Sequence, residues 1–332
     1  MHASSALTTP NRAASAERLY AAVDVGGTKI AGGLVDRDGA LVFQVTRATP
    51  PNGTAEAVLG AAHQVVDLLA ADPRWGRVAA LGVGSAGPVD TARGTVSPVN
   101  IPGWRDFPLV RSLAGHPAVG ALPVVLGGDA VAMTAAEHWR GAARGHANAL
   151  CLVVSTGVGG GLVLGGALHP GPTGNAGHLG HISVDLDGEP CPCGSRGCVE
   201  LIASGTAIAR HALRNGWRPA GADRSAGAVA ASARDGDPVA LAAFDRAAQA
   251  LAAGIAATAT LVEIDLAVIG GGVAQAGETL FAPLRRHLAG YATLSFVSGL
   301  RVVPAALGTD AGLVGAAALA VARFGPEAKL RS

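Results

Sequence analysis

Leu19-Tyr20-Ala21-Ala22-Val23-Asp24-Val25-Gly26-Gly27-Thr28-Lys29 is an apolar run that ends in a glycine pair, and residues 30–35 resume as a second apolar run. The pattern predicts two strands joined by a tight turn, with Asp36-Arg37-Asp38-Gly39 turning the chain again into residues 40–45. A glycine pair between hairpin strands bares backbone N–H groups that can hold phosphate oxygens. Thr28 and Lys29 add a hydroxyl and a positive charge, and Asp24 at the strand end is placed to hold Mg²⁺ through water. On its own the stretch reads equally as a plain hairpin turn.

The same design returns further along the chain. Residues 149–154 form an apolar run, Ser155-Thr156-Gly157-Val158-Gly159-Gly160-Gly161 follows, and residues 162–164 are apolar again. A third cluster, Gly270-Gly271-Gly272, follows an apolar run at 266–269 and is expected to open a helix over about 278–288, a turn suited to a nucleotide's base or sugar. None of the three has the P-loop or dinucleotide spacing. Two strand, glycine loop, strand units, one in each half, predict duplicated α/β domains that clamp a phosphate chain between them.

Three of the four cysteines lie in Cys191-Pro192-Cys193-Gly194-Ser195-Arg196-Gly197-Cys198, and His181 precedes them. Three thiolates and one imidazole fill the closed tetrahedral shell of a structural Zn²⁺, which leaves no position for a reacting water. A disulfide is the alternative, but an odd number of clustered cysteines leaves one unpaired. His178 and His181 are three apart, so both can face one ligand.

With 332 residues, 49% of them hydrophobic and 15% charged, the chain can bury two cores. A formal net charge of +1 gives no field that would draw nucleic acid or an acidic membrane. Residues 1–18, rich in Ala, Ser and Thr, are expected to be a disordered extension and not a signal peptide. No apolar stretch is expected to span a bilayer, and a cytoplasmic location, where thiols stay reduced, is expected. Val58, Leu59, Ala62, Val65, Val66 and Leu69 recur at helical spacing ahead of a strand at 78–83, and alanine-rich segments at 228–233 and 240–259 read as helices.

Taken in order, Asp24-Val-Gly-Gly-Thr-Lys29, Ser155-Thr-Gly-Val-Gly-Gly-Gly161, Ala176-Gly-His-Leu-Gly-His181, Cys191-Pro-Cys-Gly-Ser-Arg-Gly-Cys-Val-Glu200 and Asp310-Ala-Gly-Leu-Val-Gly-Ala-Ala317 resemble the ROK family of sugar kinases and repressors. The resemblance runs from about residue 19 to residue 317. It implies an actin/hexokinase-like, ribonuclease H-like fold of two α/β domains with ATP and sugar in the cleft between them. The implied first domain is 19–125, completed by a returning helix at 312–323, and the second is 126–311 with a zinc-stapled loop at 178–200.

The resemblance gives the three glycine clusters roles as first phosphate loop (Asp24, Gly26, Gly27, Thr28, Lys29), second phosphate loop (Thr156, Gly157, Val158, Gly159, Gly160) and adenosine-side turn (Gly270, Gly271, Gly272). It makes Asp129, after Leu122-Pro-Val-Val-Leu-Gly-Gly128, the base that takes the proton of the sugar 6-hydroxyl. From the residues alone Asp129 reads equally as a helix cap. The implied sugar contacts are Gly87 in Ser85-Ala-Gly-Pro-Val-Asp90, Asn100 in Asn100-Ile-Pro-Gly-Trp104, His178, His181 and Glu200. His181 also belongs to the zinc set with Cys191, Cys193 and Cys198.

Two departures bear on the substrate. Gly128 stands where family kinases have Asn, and His178 stands where family glucokinases have Glu, as it does in N-acetylmannosamine kinases. An imidazole offers one donor and one acceptor where a carboxylate accepts twice, so recognition near C1 to C3 should differ. The expectation is an ATP- and Mg²⁺-dependent hexose 6-kinase, acting on glucose or on an N-acylhexosamine such as N-acetylmannosamine, with a homodimer as the family's common state. The alternative is a catalytically silent sugar sensor. A ROK repressor is not expected, because residues 1–18 do not read as a winged helix-turn-helix. Zinc removal is expected to weaken sugar binding more than ATP binding, because the stapled loop carries His181 and Glu200 and not the phosphate loops.

Overall fold

Residues 18–51 and 53–325 are described by a computed structural model of the chain, so the expected extension over 1–18 lies outside them apart from Arg18. Strands β1 (Leu19–Val25), β2 (Lys29–Asp36) and β3 (Leu41–Ala48) form an antiparallel meander, and helix α1 (Ala55–Ala70) follows, capped by the Thr54 side chain. Val58, Ala61, Ala62, Val65, Val66 and Leu69 are its buried stripe, close to the periodicity read from the sequence. Strand β4 (Val78–Ser85), the short hairpin β5 (Val89–Asp90) and β6 (Thr95–Val96), helix α2 (Leu109–Ala114) and strand β7 (Val124–Gly128) complete the first unit. Its sheet order is β3-β2-β1-β4-β7, with β1, β4 and β7 parallel.

Helix α3 (Asp129–Arg140) leads to the second sheet, where β8 (Ala149–Val154), β9 (Val158–Leu164) and β10 (Ala167–His169) repeat the antiparallel meander. Four helices come next: α4 (Val199–Ala203), α5 (Gly205–Arg214), α6 (Ala226–Arg234) and α7 (Pro238–Val262). Strand β11 (Leu266–Gly270), helix α8 (Glu278–Tyr291), strand β12 (Arg301–Pro304) and helix α9 (Ala311–Phe324) end the described chain. The second sheet runs β10-β9-β8-β11-β12, with β8, β11 and β12 parallel. Both sheets therefore share one topology, and the first two glycine clusters occupy the same place in it, the turn between a unit's first two strands.

The sheets are joined by two crossings, α3 and α9. Helix α9 packs Leu313, Ala316, Ala317 and Ala320 against Tyr20, Ala22, Val35 and Ala80 of the first unit. Its Ala318 and Leu319 meet Val131, Ala132 and Ala135 of α3. The approach is so close that a β-carbon on Gly315 would lie 2.1 Å from the Ala132 carbonyl oxygen, which accounts for glycine there. The expected boundary near Leu126 falls inside a strand: Leu126 pairs with Val83, so the first sheet runs to Gly128 and Asp129 opens the crossing helix.

Glu137, fully buried on α3, fastens the crossings to each other. Its carboxylate accepts N–H bonds from Ala142 at 2.7 Å, from Ala306 at 3.0 Å and from Leu307 at 3.0 Å. Ala306 and Leu307 lie just ahead of α9, so one side chain ties the outgoing connection to the returning one.

Two expectations change. The third glycine cluster opens a 3₁₀ turn, Gly272–Ala276, and α8 begins only after it. Helix α7 has 25 residues and is long and apolar enough to cross a membrane by length and composition, contrary to the reading that no stretch is. Here it is a core helix: Phe244, Leu251, Ile255 and many alanines pack against Ile208, Trp217, Leu280 and Leu284. Alanine on that face lets the neighbouring helices come close.

Candidate active site

Asp129 stands where parallel strand β7 ends and α3 starts, with Gly128 as the residue before the helix. This is the carboxyl edge of the sheet, where α/β folds bind ligands. Its Oδ1 accepts the Ala130 N–H at 2.7 Å, an N-terminal contact that favours the charged form. The side chain is open to solvent at its tip yet surrounded by protein, and that desolvation raises its pKa above the ordinary carboxylate range, opposed by the Ala130 amide and by the His178 imidazole.

Asp24, at the end of β1, is the second carboxylate of the floor. Desolvation and the like charge of Asp129 push its pKa up to about 6, and Lys29 pulls the other way. Its packing is tight: a β-carbon on Gly312 of α9 would lie 2.3 Å from Asp24 Oδ2. A desolvated carboxylate raised further by a neighbouring like charge is one that a hard divalent cation relieves, so Asp24 fits Mg²⁺.

The first glycine loop is closed by Gly26 N–H donating to Lys29 O at 3.0 Å, and Thr49 pins it from β3's end. The Thr49 hydroxyl donates to Gly26 O at 2.6 Å, and its N–H donates to Thr28 O at 3.0 Å. Thr28 and Lys29 are exposed towards solvent. Asn100 lies against this loop: a β-carbon on Gly27 would come 2.6 Å from Asn100 Nδ2. Asn100 is thus brought to the first glycine loop, while Trp104 of the same segment is buried and stacks on Phe107 as core.

In the second glycine loop the Ser155 N–H donates to Gly157 O at 2.8 Å, leaving Thr156 exposed at the tip. The Val158 N–H is not free for a phosphate, because it donates to Glu200 Oε2 at 2.8 Å. Gly159 and Gly160 continue into β9, and Gly160 packs on the Gly177 carbonyl. Gly270 is inside the second sheet, paired with Val153, and Gly271 packs on Val154, whereas Gly272 lines a cavity of about 810 Å³. That cavity is also walled by Thr156, Thr206, Arg210, Arg224 and Ser225. Thr49, Thr206, Arg224 and Ser225 were missed in the sequence, since each is a single polar residue without a spacing pattern.

The cysteine cluster closes as expected from its spacing. Cys193 Sγ lies 3.7 Å from Cys198 Sγ and Cys191 Sγ lies 3.9 Å from His181 Nδ1, and all four donors fall within 4.8 Å of one another. Tetrahedral Zn²⁺ with ordinary bond lengths separates its sulfurs by about 3.8 Å, so the residues fit the ion. Gly197, at φ 59°, lies so close to the Asp185 carbonyl oxygen that a β-carbon would sit 1.7 Å from it. His181 meets the cysteines through Nδ1.

His178 and His181 stack in parallel, ring centroids 5.6 Å apart, across a 3₁₀ turn at Leu179–His181. His178 also faces the first unit: its Cε1 lies 3.9 Å from where a β-carbon on Gly87 would be. A β-carbon on Gly128, in an extended backbone, would meet only Gly174 O at 3.9 Å and Val89 Cγ2 at 4.0 Å, both ordinary contacts. The structure thus brings Asp129, Asp24, His178 and Gly87 to one cleft. Glu200 reaches the second glycine loop instead of standing free.

Duplicated sheets of one topology, each with a glycine turn between its first two strands and with Asp24 and Asp129 at strand ends of the first, define a phosphotransferase of the actin and hexokinase fold. The chain belongs to the ROK family, which it matches over residues 20–323. It is 38% identical to the glucokinase of Thermotoga maritima over 317 residues, 91% of this chain and 97% of that one. It is 36% identical to an N-acetylmannosamine kinase of Yersinia pseudotuberculosis over 297 residues, 89% of this chain and 96% of that one. The crystal structure of a ROK family glucokinase from Streptomyces griseus, in complex with glucose and AMPPNP, superposes with a TM-score of 0.75 at 37% identity, covering 91% of this chain and 98% of its own. The protein is an ATP-dependent sugar kinase.

Proposed function

We propose that the protein transfers the γ-phosphoryl group of ATP to the 6-hydroxyl of a hexose, glucose or an N-acylhexosamine such as N-acetylmannosamine, with Asp129 as general base. The observation that carries this reading is the position of Asp129 at the carboxyl edge of β7, held by the Ala130 N–H and facing His178. Phosphoryl transfer needs positioning and charge neutralisation more than covalent help. Asp129 would accept the hydroxyl proton as the oxygen meets phosphorus, and its raised pKa makes it a stronger base than an exposed carboxylate.

Asp24 would hold Mg²⁺ through water beside the first glycine loop, and the ion would supply charge neutralisation on the phosphates. The Gly26 to Lys29 turn and the Thr156 tip would take phosphate oxygens, and the cavity at Gly272 would take the nucleoside. Zn²⁺ on His181, Cys191, Cys193 and Cys198 would hold the loop that presents His178 and Glu200. A cytoplasmic location suits this reduced cysteine set.

His178 favours the N-acylhexosamine among the two sugars, because a donor and an acceptor replace a double acceptor. The test is ADP release from Mg-ATP with glucose, mannose, N-acetylglucosamine and N-acetylmannosamine supplied separately, and the product's phosphorylated carbon located by NMR. Turnover with phosphate on C6 is expected. Silence with all four sugars, in a protein that binds one of them, would retire the kinase reading for the sensor.

A further inference from the structure

The β5 edge of the first unit carries a ladder to the second unit that no motif announces. The Val89 N–H donates to Asn175 Oδ1 at 3.2 Å, and Asn175 Nδ2 donates to Val89 O at 2.7 Å. A further rung follows, Thr91 N–H to Thr173 O at 3.0 Å. The side-chain amide thus takes the place of a peptide group in an adjoining strand. Its second N–H faces Thr173 Oγ1 at 3.0 Å, so turning the amide over would oppose donors to donors and acceptors to acceptors. Gly174, between these rungs, packs on Thr91 and Val89.

What the ladder joins matters for the reaction. Val89 is two residues from Gly87, and Asn175 is three from His178, and Gly87 and His178 face each other across the cleft. Nothing else in the two loops makes a side-chain bond between them among the described residues. We infer that Asn175 is a positioning residue for the sugar: its amide latches the Gly87 loop to the His178 loop and so assembles the sugar side of the cleft. The inference rests on reading Gly87 and His178 as sugar-side residues. The ATP side, at Thr156 and Gly272, is outside the latch and should not depend on it.

The test compares Asn175→Ala, the isosteric Asn175→Asp and His178→Ala with the unaltered protein. Loss of the paired bonds should raise the sugar KM about tenfold or more, with the ATP KM within about twofold and thermal stability nearly unchanged. Asn175→Asp should fail to rescue, because its carboxylate faces the Val89 carbonyl oxygen. Hydrogen exchange without ligands should quicken at residues 86–92 and 170–176 in Asn175→Ala and nowhere else. A normal sugar KM in Asn175→Ala, or its restoration by Asn175→Asp, overturns the latch while a raised sugar KM in His178→Ala keeps the sugar-side reading. If His178→Ala leaves the sugar KM unchanged, the sugar-side reading falls and the positioning role falls with it.

Discussion

Glu200 Oε2 accepts the Val158 N–H at 2.8 Å, which fixes the start of β9 to a residue two places after the zinc-set Cys198. The cysteine-bearing loop and the second glycine loop are therefore joined by a direct hydrogen bond. This bond narrows the difference expected between the two ligands, namely that zinc removal weakens sugar binding more than ATP binding. Chelation should raise the KM for ATP as well as for sugar, and Glu200→Ala should reproduce the ATP part, about fivefold, in zinc-loaded protein. Steady-state kinetics with each substrate varied in turn reads both effects, and an unchanged ATP KM in both cases would break the link.

Asp24 weakens the fold at neutral pH. Its pKa of about 6 lies above the ordinary 3.8, so the fold favours the protonated form. The group's stabilising contribution is complete below about pH 4 and is lost as pH rises through about 6. Asp24→Asn should thus be more stable than the unaltered protein at pH 7.5, by about 2 kcal/mol, and indistinguishable from it near pH 4. Thermal unfolding without ligand at the two pH values checks this, and activity should be lost in the variant throughout.

Gly128 is extended, with room for a side chain, so Gly128→Asn should fold with unchanged thermal stability. An added amide beside Asp129 should shift the ratio of kcat/KM for glucose over N-acetylmannosamine by about tenfold. Equal ratios in the two proteins would show that this position takes no part in choosing the sugar.

The glycine turns, the cysteine set and the α1 stripe were legible because each depends on local spacing, which one strand, one turn or one metal dictates. Resemblance supplied Asp129, which in the residues alone was one more helix start. The Val89 to Asn175 ladder, the Glu200 to Val158 bond and the Glu137 pin were not legible. Each spans 42 to 170 residues of chain, through a single polar side chain that meets a backbone group, and backbone groups carry no sequence signature. The expected boundary near Leu126 lies within β7, and the close approach of Leu319 of α9 to Gly127 is likewise a long-range contact with no local signature.

Glu137 is such a long-range pin, and its removal should be costly. Glu137→Ala leaves the part-buried N–H groups of Ala142, Ala306 and Leu307 without their acceptor and should lower stability by about 2 kcal/mol. Denaturant unfolding measures it. A loss under about 1 kcal/mol would mean that water takes over the carboxylate's role.

On the proposed reading, Asp129 removes the sugar's proton. Sugar affinity by calorimetry and ADP release, measured together on Asp129→Asn, test it most directly. Turnover should fall by about a thousandfold with sugar affinity kept within about threefold. Turnover close to that of the unaltered protein would contradict it and return Asp129 to the role of a helix start.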